Sequence, residues 1–403
     1  MALTQMSEQQ VSLQGQYDGE RGALLGLSVV TALLTMVTFG LYRFWAKTRI
    51  RRYIWSSASD GRDSFEYTGT GLEKLMGFLV AVVILAVYLG LVQMVLFYFG
   101  VTLFVDPQTP EQAMMQSAAV SVTVLAVIPL IFFAQYRARR YKLARTRWRG
   151  VRFGAEQGAW GYAFRAMGHW ALTILSLGLL LPWQTLRLER YMTDRSWYGD
   201  APFMQGGKWT ALLPAMSHIY LGLLIMLGGG AVAAAIGSVG TGGALALLGY
   251  VWLMAGVIIY RVKAFCYLTD NKVLDGNIWF EARVAPTNVV ATIILGGIMV
   301  ALVSALVFGG LGAAVFLVLM PAALLGEGAM FIGVLAVAAL YLLALAISGS
   351  LTLVWIIQPI ISHVVESISV HNADELDYID QREADSGADA EGFADALDIG
   401  GAV

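Results

Sequence analysis

Trp45, Arg49, Arg52 and Tyr53 share one face of a helix, and Trp183, Arg187, Arg190 and Tyr191 repeat that face 138 residues later. Aromatic rings at headgroup level with guanidinium groups beside them suit anionic lipid. Each cation near such a surface contributes about 1 kcal/mol, so two or three dock and orient a helix. The same residues also suit ordinary anchoring on the positive side of a membrane, with no particular lipid selected. A second set, Gln93, Arg165, His169 and His218, interrupts or borders apolar runs. A charge at membrane depth costs at least ~2.5–3.5 kcal/mol and marks a pathway or relay. A neutral His or Gln there can equally bond a facing backbone carbonyl.

Other chemistry is poorly represented. The chain has no Gly-x-Ser-x-Gly, no Walker lysine loop and no His-Glu-x-x-His, so an enzyme is not expected. Cys266 is the lone cysteine and the four His include no i, i+4 pair, so neither a metal site nor a cofactor is read. No Asp or Glu falls in the middle of an apolar run, which argues against carboxylate-coupled transport. The cluster Arg137, Arg139, Arg140, Lys142, Arg145, Arg147, Arg149 and Arg152 has the charge for nucleic acid. It leaves a helix end and joins no soluble domain, so topology, headgroup contact or pairing with the acidic C-terminal segment is expected instead, and nucleic acid is not.

The elements that must position these residues are membrane helices. The chain is 58% hydrophobic and only 13% charged, against about 25% charge in a soluble domain. Apolar runs lie near 23–44, 75–104, 117–136, 163–183, 210–237, 243–262, 288–319 and 329–361, several longer than the roughly 20 residues a bilayer requires. Of the 26 Lys and Arg, 24 fall in segments 43–75, 137–165, 184–209 and 261–287, whereas 105–116, 238–242 and 320–328 carry none. Basic loops stay cytoplasmic. Spanning by all eight runs would put a basic loop outside, because run 163–183 is basic on both sides. Returning runs 23–44 and 163–183 to the cytoplasm leaves six spans in three hairpins with every basic loop inside, and this reading is preferred to eight. Residues 1–22 lack the cationic start and cleavage site of a signal peptide, so the first helix is expected to be retained. Residues 366–403 hold eleven acids against Arg382, an acidic tail on the cytoplasmic face.

Sliding residues 34–69 onto 172–207 without a gap makes eleven positions identical, among them Thr35/Thr173, Gly40/Gly178, Trp45/Trp183, Arg52/Arg190 and Gly69/Gly207. A fixed period of this kind reads as tandem modules. The expected architecture is an all-α polytopic membrane protein of degenerate repeats: residues 1–142, 143–280 and a degenerate 281–365, followed by the tail 366–403. Gly recurs ahead of Phe in every basic loop, at Gly61–Phe65, Gly150–Phe153, Gly199–Phe203 and Gly276–Phe280, predicting short β-hairpins on the cytoplasmic side. Glycine-rich stretches 228–243 and 296–312 permit close helix packing or a hinge.

The segments LLTMVTFGLYRFWAKTRIRRY, SDGRDSFEYTG and LTILSLGLLLPWQTLRLERY resemble the YjgN family of bacterial inner-membrane proteins, defined by a domain of unknown function. The likeness runs from about Val11 through the ending GFADALDIGGAV. It implies a multi-pass inner-membrane location and architecture, without an activity. Three features depart from the family pattern. Arg43-Phe44 replaces a usual Tyr-Pro, Gln184 replaces the Ala after Trp183, and the region of Ile357-Gln358-Pro359 lacks the cations. The functional expectation is a lipid-interacting, scaffold or assembly protein with anionic lipid as its partner. The alternative is a transporter or channel for a small solute, lined by the second polar set. Self-association and a membrane-protein partner are both left open.

Overall fold

The computed structural model describes residues 11–101 and 106–383. Strands β1 (Ser12–Gln14) and β2 (Gln16–Tyr17) lead into a short helix pair, α1 (Arg21–Val37) and α2 (Arg43–Ser57). Strands β3 (Ala58–Ser59) and β4 (Phe65–Tyr67) precede a long pair, α3 (Gly71–Tyr98) and α4 (Pro110–Ala144). The succession then recurs: β5 (Thr146–Trp148), β6 (Val151–Ala155), the short pair α5 (Ala159–Leu175) and α6 (Leu181–Thr193), β7 (Ser196–Tyr198) and β8 (Ala201–Gln205). The long pair α7 (Ser217–Ile236), entered through a 3-10 segment, and α8 (Val239–Asp270) comes next. Last are β9 (Lys272–Leu274), β10 (Ile278–Ala282), α9 (Pro286–Leu325), α10 (Glu327–Thr352), a π-helical turn, α11 (Gln358–Glu366) and β11 (Ile368–His371).

Six helical segments are long and apolar enough to cross a membrane: α3, α4, the 3-10 segment with α7, α8, α9, and α10 continued through α11. The chain is an integral, multi-pass α-helical membrane protein, with the six candidates expected from the apolar runs. Their large apolar side chains point outward, as lipid requires: Val83, Leu91, Leu306 and Leu324 are all exposed. The helices start where the sequence supplies a cap. Thr70 accepts from the Glu73 N–H and Thr109 from the Gln112 N–H, each 3.2 Å away. Run 23–44 does not form one long helix, because α1 stops at Val37 and the chain reverses.

The chain divides into two units. One comprises Met1–Ser64, Ala211–Asn271 and Trp279–Ala373; the other comprises Phe65–Thr210, Lys272–Ile278 and Asp374–Val403. In the first, α1 packs on α2 and α10, and α7 on α8; Leu24, Leu353 and Val354 form a small core there with Ile50 and Tyr53. In the second, α4 packs on α5, and α5 on α6.

The predicted β-elements exist, and Gly61, Gly150, Gly199 and Gly276 all take positive φ at the turns, the conformation that selects glycine there. The strands do more than form isolated hairpins. In the second unit β4 through β9 pair in sequence order, with Phe65 opposite Trp148, Phe153 opposite Tyr198 and Phe203 opposite Leu274. In the first, β1 and β10 flank β11. Isolated two-stranded ribbons expose unpaired backbone on both edges, and pairing successive ribbons removes those edges. Phe65, Phe153 and Phe203, the aromatics following the turn glycines, stack in a row with centroids 6.5 Å apart at each step. Of the acidic segment, Ala373–Tyr378 is a 3-10 turn following β11; residues 384–403 lie outside the described residues.

Candidate functional site

The two short helix pairs carry the predicted aromatic and basic faces, and their turns agree bond for bond. The Gly40 N–H bonds the Thr35 carbonyl at 2.7 Å and Gly178 bonds Thr173 at 2.8 Å; Phe39 bonds Met36 and Leu177 bonds Ile174, both at 3.0 Å. These are the paired bonds of a Schellman cap, whose left-handed residue is usually Gly. Here it is Phe39 (φ 50) and Leu177 (φ 52), a conformation that costs a bulky residue about 1–2 kcal/mol. Both side chains are held outward, 98% and 86% exposed. Val37 and Leu41 flank the first tip and Leu175 and Leu179 the second, all exposed. Each hairpin therefore ends in an apolar cap of three large side chains.

At the opposite end Tyr closes the hairpin. The Tyr53 hydroxyl accepts from the Glu20 N–H at 2.8 Å and donates to the Glu20 carbonyl at 3.0 Å, and the Tyr191 hydroxyl donates to the Gly158 carbonyl at 3.0 Å. Arg190 is also spent internally, on the Gln205 and Gly207 carbonyls at 3.0 and 3.1 Å. The outward members of the predicted faces are Arg49, Arg52 and Arg187, all exposed. Trp45 stacks on Tyr42, over whose ring Arg49 also lies. Trp183 sits 4.3 Å from the His169 ring.

The second polar set is dispersed. Gln93 donates to the Thr123 hydroxyl at 2.8 Å between α3 and α4. Arg165 donates to the Gly161 carbonyl and lies over the Tyr191 ring. His218, in the first unit, is beside Trp252. Burial, and then the charges of Arg187 and Arg165, push the His169 imidazole below its ordinary pKa, so the ring is neutral at pH 7. Among the described residues no group of three His, Cys, Asp or Glu could hold a metal.

Sequence reasoning missed Glu189. Its carboxylate takes a bidentate pair of bonds from Arg139 at 2.9 and 3.0 Å, a bond from the Thr193 hydroxyl at 3.0 Å, and the Lys272 ammonium at 3.5 Å. Burial alone would raise its pKa; Arg139, then Lys272, overcome that and hold it near 2. Burial pushes the Lys272 ammonium down more than Glu189 restores it. Burial, with Glu189 nearby, pushes the Tyr162 phenol up to about 12. The signal available was an acid standing 138 residues after Arg51, which is wholly buried in α2. The neighbouring basic cluster is likewise engaged. Arg140 bonds the Ala155 carbonyl, Arg145 pairs with Glu73, and Arg149 pairs with Asp377 at 2.7 Å. The tail continues across the strands: the Arg152 N–H donates to Gln381, Asp380 and Asp200 exchange bonds, and Arg382 covers the Trp197 ring.

A bacterial family described as a protein of unknown function (DUF898) matches residues 12–396. The inner membrane protein YjgN of Salmonella typhimurium (strain LT2) is 28% identical over 151 residues, covering 37% of this chain and 33% of that protein. The inner membrane protein YjgN of Escherichia coli O157:H7 is 28% identical over 149 residues, covering 36% and 32%. The chain thus spans about a third of the length of these relatives. No solved structure matches it.

Proposed function

We propose that this chain, which belongs to the DUF898 family of bacterial proteins of unknown function, is a lipid-interacting inner-membrane protein that gathers anionic lipid at its two short helix hairpins. It acts as a scaffold or assembly element and not as an enzyme. The observation that carries the reading is the hairpin itself, with an apolar tip at the turn and cations on the returning helix. The 17 residues of α1 or α5 reach about 26 Å, short of the roughly 30 Å hydrocarbon core. The returning α2 contains Arg43, Lys47, Arg49, Arg51 and Arg52, and each would cost at least ~2.5 kcal/mol in mid-membrane. A hairpin so built seats its tip shallowly in one leaflet and leaves its cations at the headgroups. The matching 17-residue first helices and the matching turns of the two pairs support tandem modules, and the segregation of Lys and Arg into four segments of the sequence supports a cytoplasmic placement for the hairpins and the C-terminus.

The test is the lipid shell. The full chain is reconstituted in nanodiscs of phosphatidylglycerol and phosphatidylcholine, and the lipid retained near the protein is quantified against an Arg49→Gln, Arg52→Gln, Arg187→Gln triple variant. At about 1 kcal/mol per cation, each removal lowers phosphatidylglycerol enrichment up to about fivefold. Equal enrichment around the wild type and the triple variant would overturn the reading.

A further inference from the structure

The α5–α6 hairpin differs from the α1–α2 hairpin in the half of its interface nearest the tip. Tyr162, Ala166, His169 and Thr173 follow one another along one face of α5, and Gln184, Leu188 and Tyr191 along one face of α6. The base of this interface is packed, with Tyr162 and Ala166 against Leu188 and Tyr191. Toward the tip the same faces present Thr173 and Gln184, only 4% and 3% exposed. The Thr173 hydroxyl, Gln184 Oε1 and His169 Nδ1 have no hydrogen-bond partner among the described residues. The residues standing 138 positions earlier are Thr35, Ala46 and Thr31. The Thr35 hydroxyl donates to the Thr31 carbonyl and that of Thr31 to the Leu27 carbonyl. At these positions the first hairpin is therefore satisfied by its own backbone, and the second is not.

An unmade hydrogen bond at a buried polar group is costly, and costlier beside hydrocarbon than beside water. Gln184 Oε1 is an acceptor and requires a donor. Neutral His169 offers a donor or an acceptor as its tautomer dictates, and the Thr173 hydroxyl offers either. Arg187 is exposed one turn beyond Gln184, and Arg165 lies one turn before His169; both act electrostatically on His169. A guanidinium group, Arg187, one turn from unfilled hydrogen-bonding atoms matches a ligand that joins a phosphate to hydroxyl donors. The adjacent apolar tip at Leu175, Leu177 and Leu179 matches acyl chains.

We propose that the tip-side end of the α5–α6 hairpin binds one phospholipid with a hydroxylated anionic headgroup, the phosphate held by Arg187 and the hydroxyls by Gln184, Thr173 and His169. This rests on the lipid reading above and narrows it from a general attraction to a single site.

Native mass spectrometry of the full chain tests it, with phosphatidylglycerol, phosphatidylcholine of the same acyl chains, and glycerol 3-phosphate as probes. Gln184→Leu keeps the volume and deletes the acceptor; Arg187→Gln deletes the charge. The expected result is at least a tenfold weaker retention of phosphatidylglycerol in each variant, unchanged phosphatidylcholine, and a Gln184→Leu melting temperature equal to or above wild type. Wild-type phosphatidylglycerol retention in Gln184→Leu would overturn the site, showing polar atoms that are simply buried. Displacement by glycerol 3-phosphate at concentrations comparable to the lipid would overturn the lipid as its source. If Gln184→Leu changes nothing while the triple arginine variant loses its lipid shell, the site fails and the general reading stands. If the triple variant also keeps its shell, both fail.

Discussion

Replacing Gly249 with alanine should drive α7 and α8 apart. An alanine Cβ at this position would lie 2.2 Å from the Met226 backbone nitrogen and 2.8 Å from the Ile225 carbonyl carbon, where ordinary contact begins near 3.4 Å. The obstructing atoms are backbone, so the helices must separate by ~1 Å. Separation at one point loosens the whole seam. Gly222 abuts Leu253, Gly229 abuts Ala246, Gly242 abuts Ala233 and Gly256 abuts His218, each within 2.7 Å of where a Cβ would stand. In lipid such close approach is the main attraction between helices. Overpacking costs about 1–3 kcal/mol, and the better helix propensity of alanine returns up to ~1 kcal/mol, leaving a net loss of about 1–2 kcal/mol. Gly230 is the control, because nothing lies within 4 Å of its added Cβ. The full chain in detergent micelles, titrated with dodecyl sulfate and followed by circular dichroism, should unfold earlier for Gly249→Ala and no earlier for Gly230→Ala. Coincident curves for the two variants would refute the packing argument.

Glu189→Gln leaves Arg139 and Lys272 facing each other without a counter-charge and should cost about 3–5 kcal/mol, read in the same unfolding titration. The Glu189 pKa is depressed from 4.5 to about 2, so its contribution is complete above pH 4.5 and fades as pH falls toward 2. The amount lost is about 3 kcal/mol, and a wild-type melting temperature falling no faster than that of Glu189→Gln across this range would count against it. Tyr53→Phe and Tyr191→Phe each remove the hydroxyl that closes a hairpin and should cost about 1 kcal/mol, with Tyr53→Phe the larger because its hydroxyl makes two bonds. In a chain with Cys266 replaced, single cysteines at Gln93 and His218 should be inert to a small water-soluble thiol reagent in membranes. Labelling at both positions, blocked by a candidate solute, would favour the transporter alternative.

Much of this architecture follows from local sequence, and the parts that do not share a physical reason. Apolar length reports the spans, and Gly61, Gly150, Gly199 and Gly276 report their turns, because each depends on a few adjacent residues. Pairing across hairpins does not: Tyr67 meets Thr146 across two membrane helices, and no periodicity encodes that register. Tyr53 and Tyr191 read as headgroup anchors because an amphipathic ring suits an interface and a hairpin clasp equally well. Glu189 was hidden inside a segment whose charges read as topology. The tail's approach to the basic cluster was legible only as opposite charge; the strand geometry that places Asp377 beside Arg149 was not.

The last helix pair shows what sets the charge pattern of the two short ones. Strands enclose all five helix pairs, and every second pair forms a series: β2 and β3 around α1 and α2, β6 and β7 around α5 and α6, and β10 and β11 around α9 and α10 with α11. The first two pairs of this series are short and carry cations on the returning helix, whereas α9 alone runs 40 residues and its partner continues to Glu366. A pair of that length must pass through hydrocarbon, where every Lys or Arg retained would cost at least ~2.5 kcal/mol. The absence of cations around Ile357-Gln358-Pro359 thus follows from length and requires no separate loss of function. By the same argument, on the proposed shallow placement of the short pairs, their arginines stay at the headgroups and carry no such cost. The lipid role proposed for the basic faces is accordingly confined to the first two hairpins of this series.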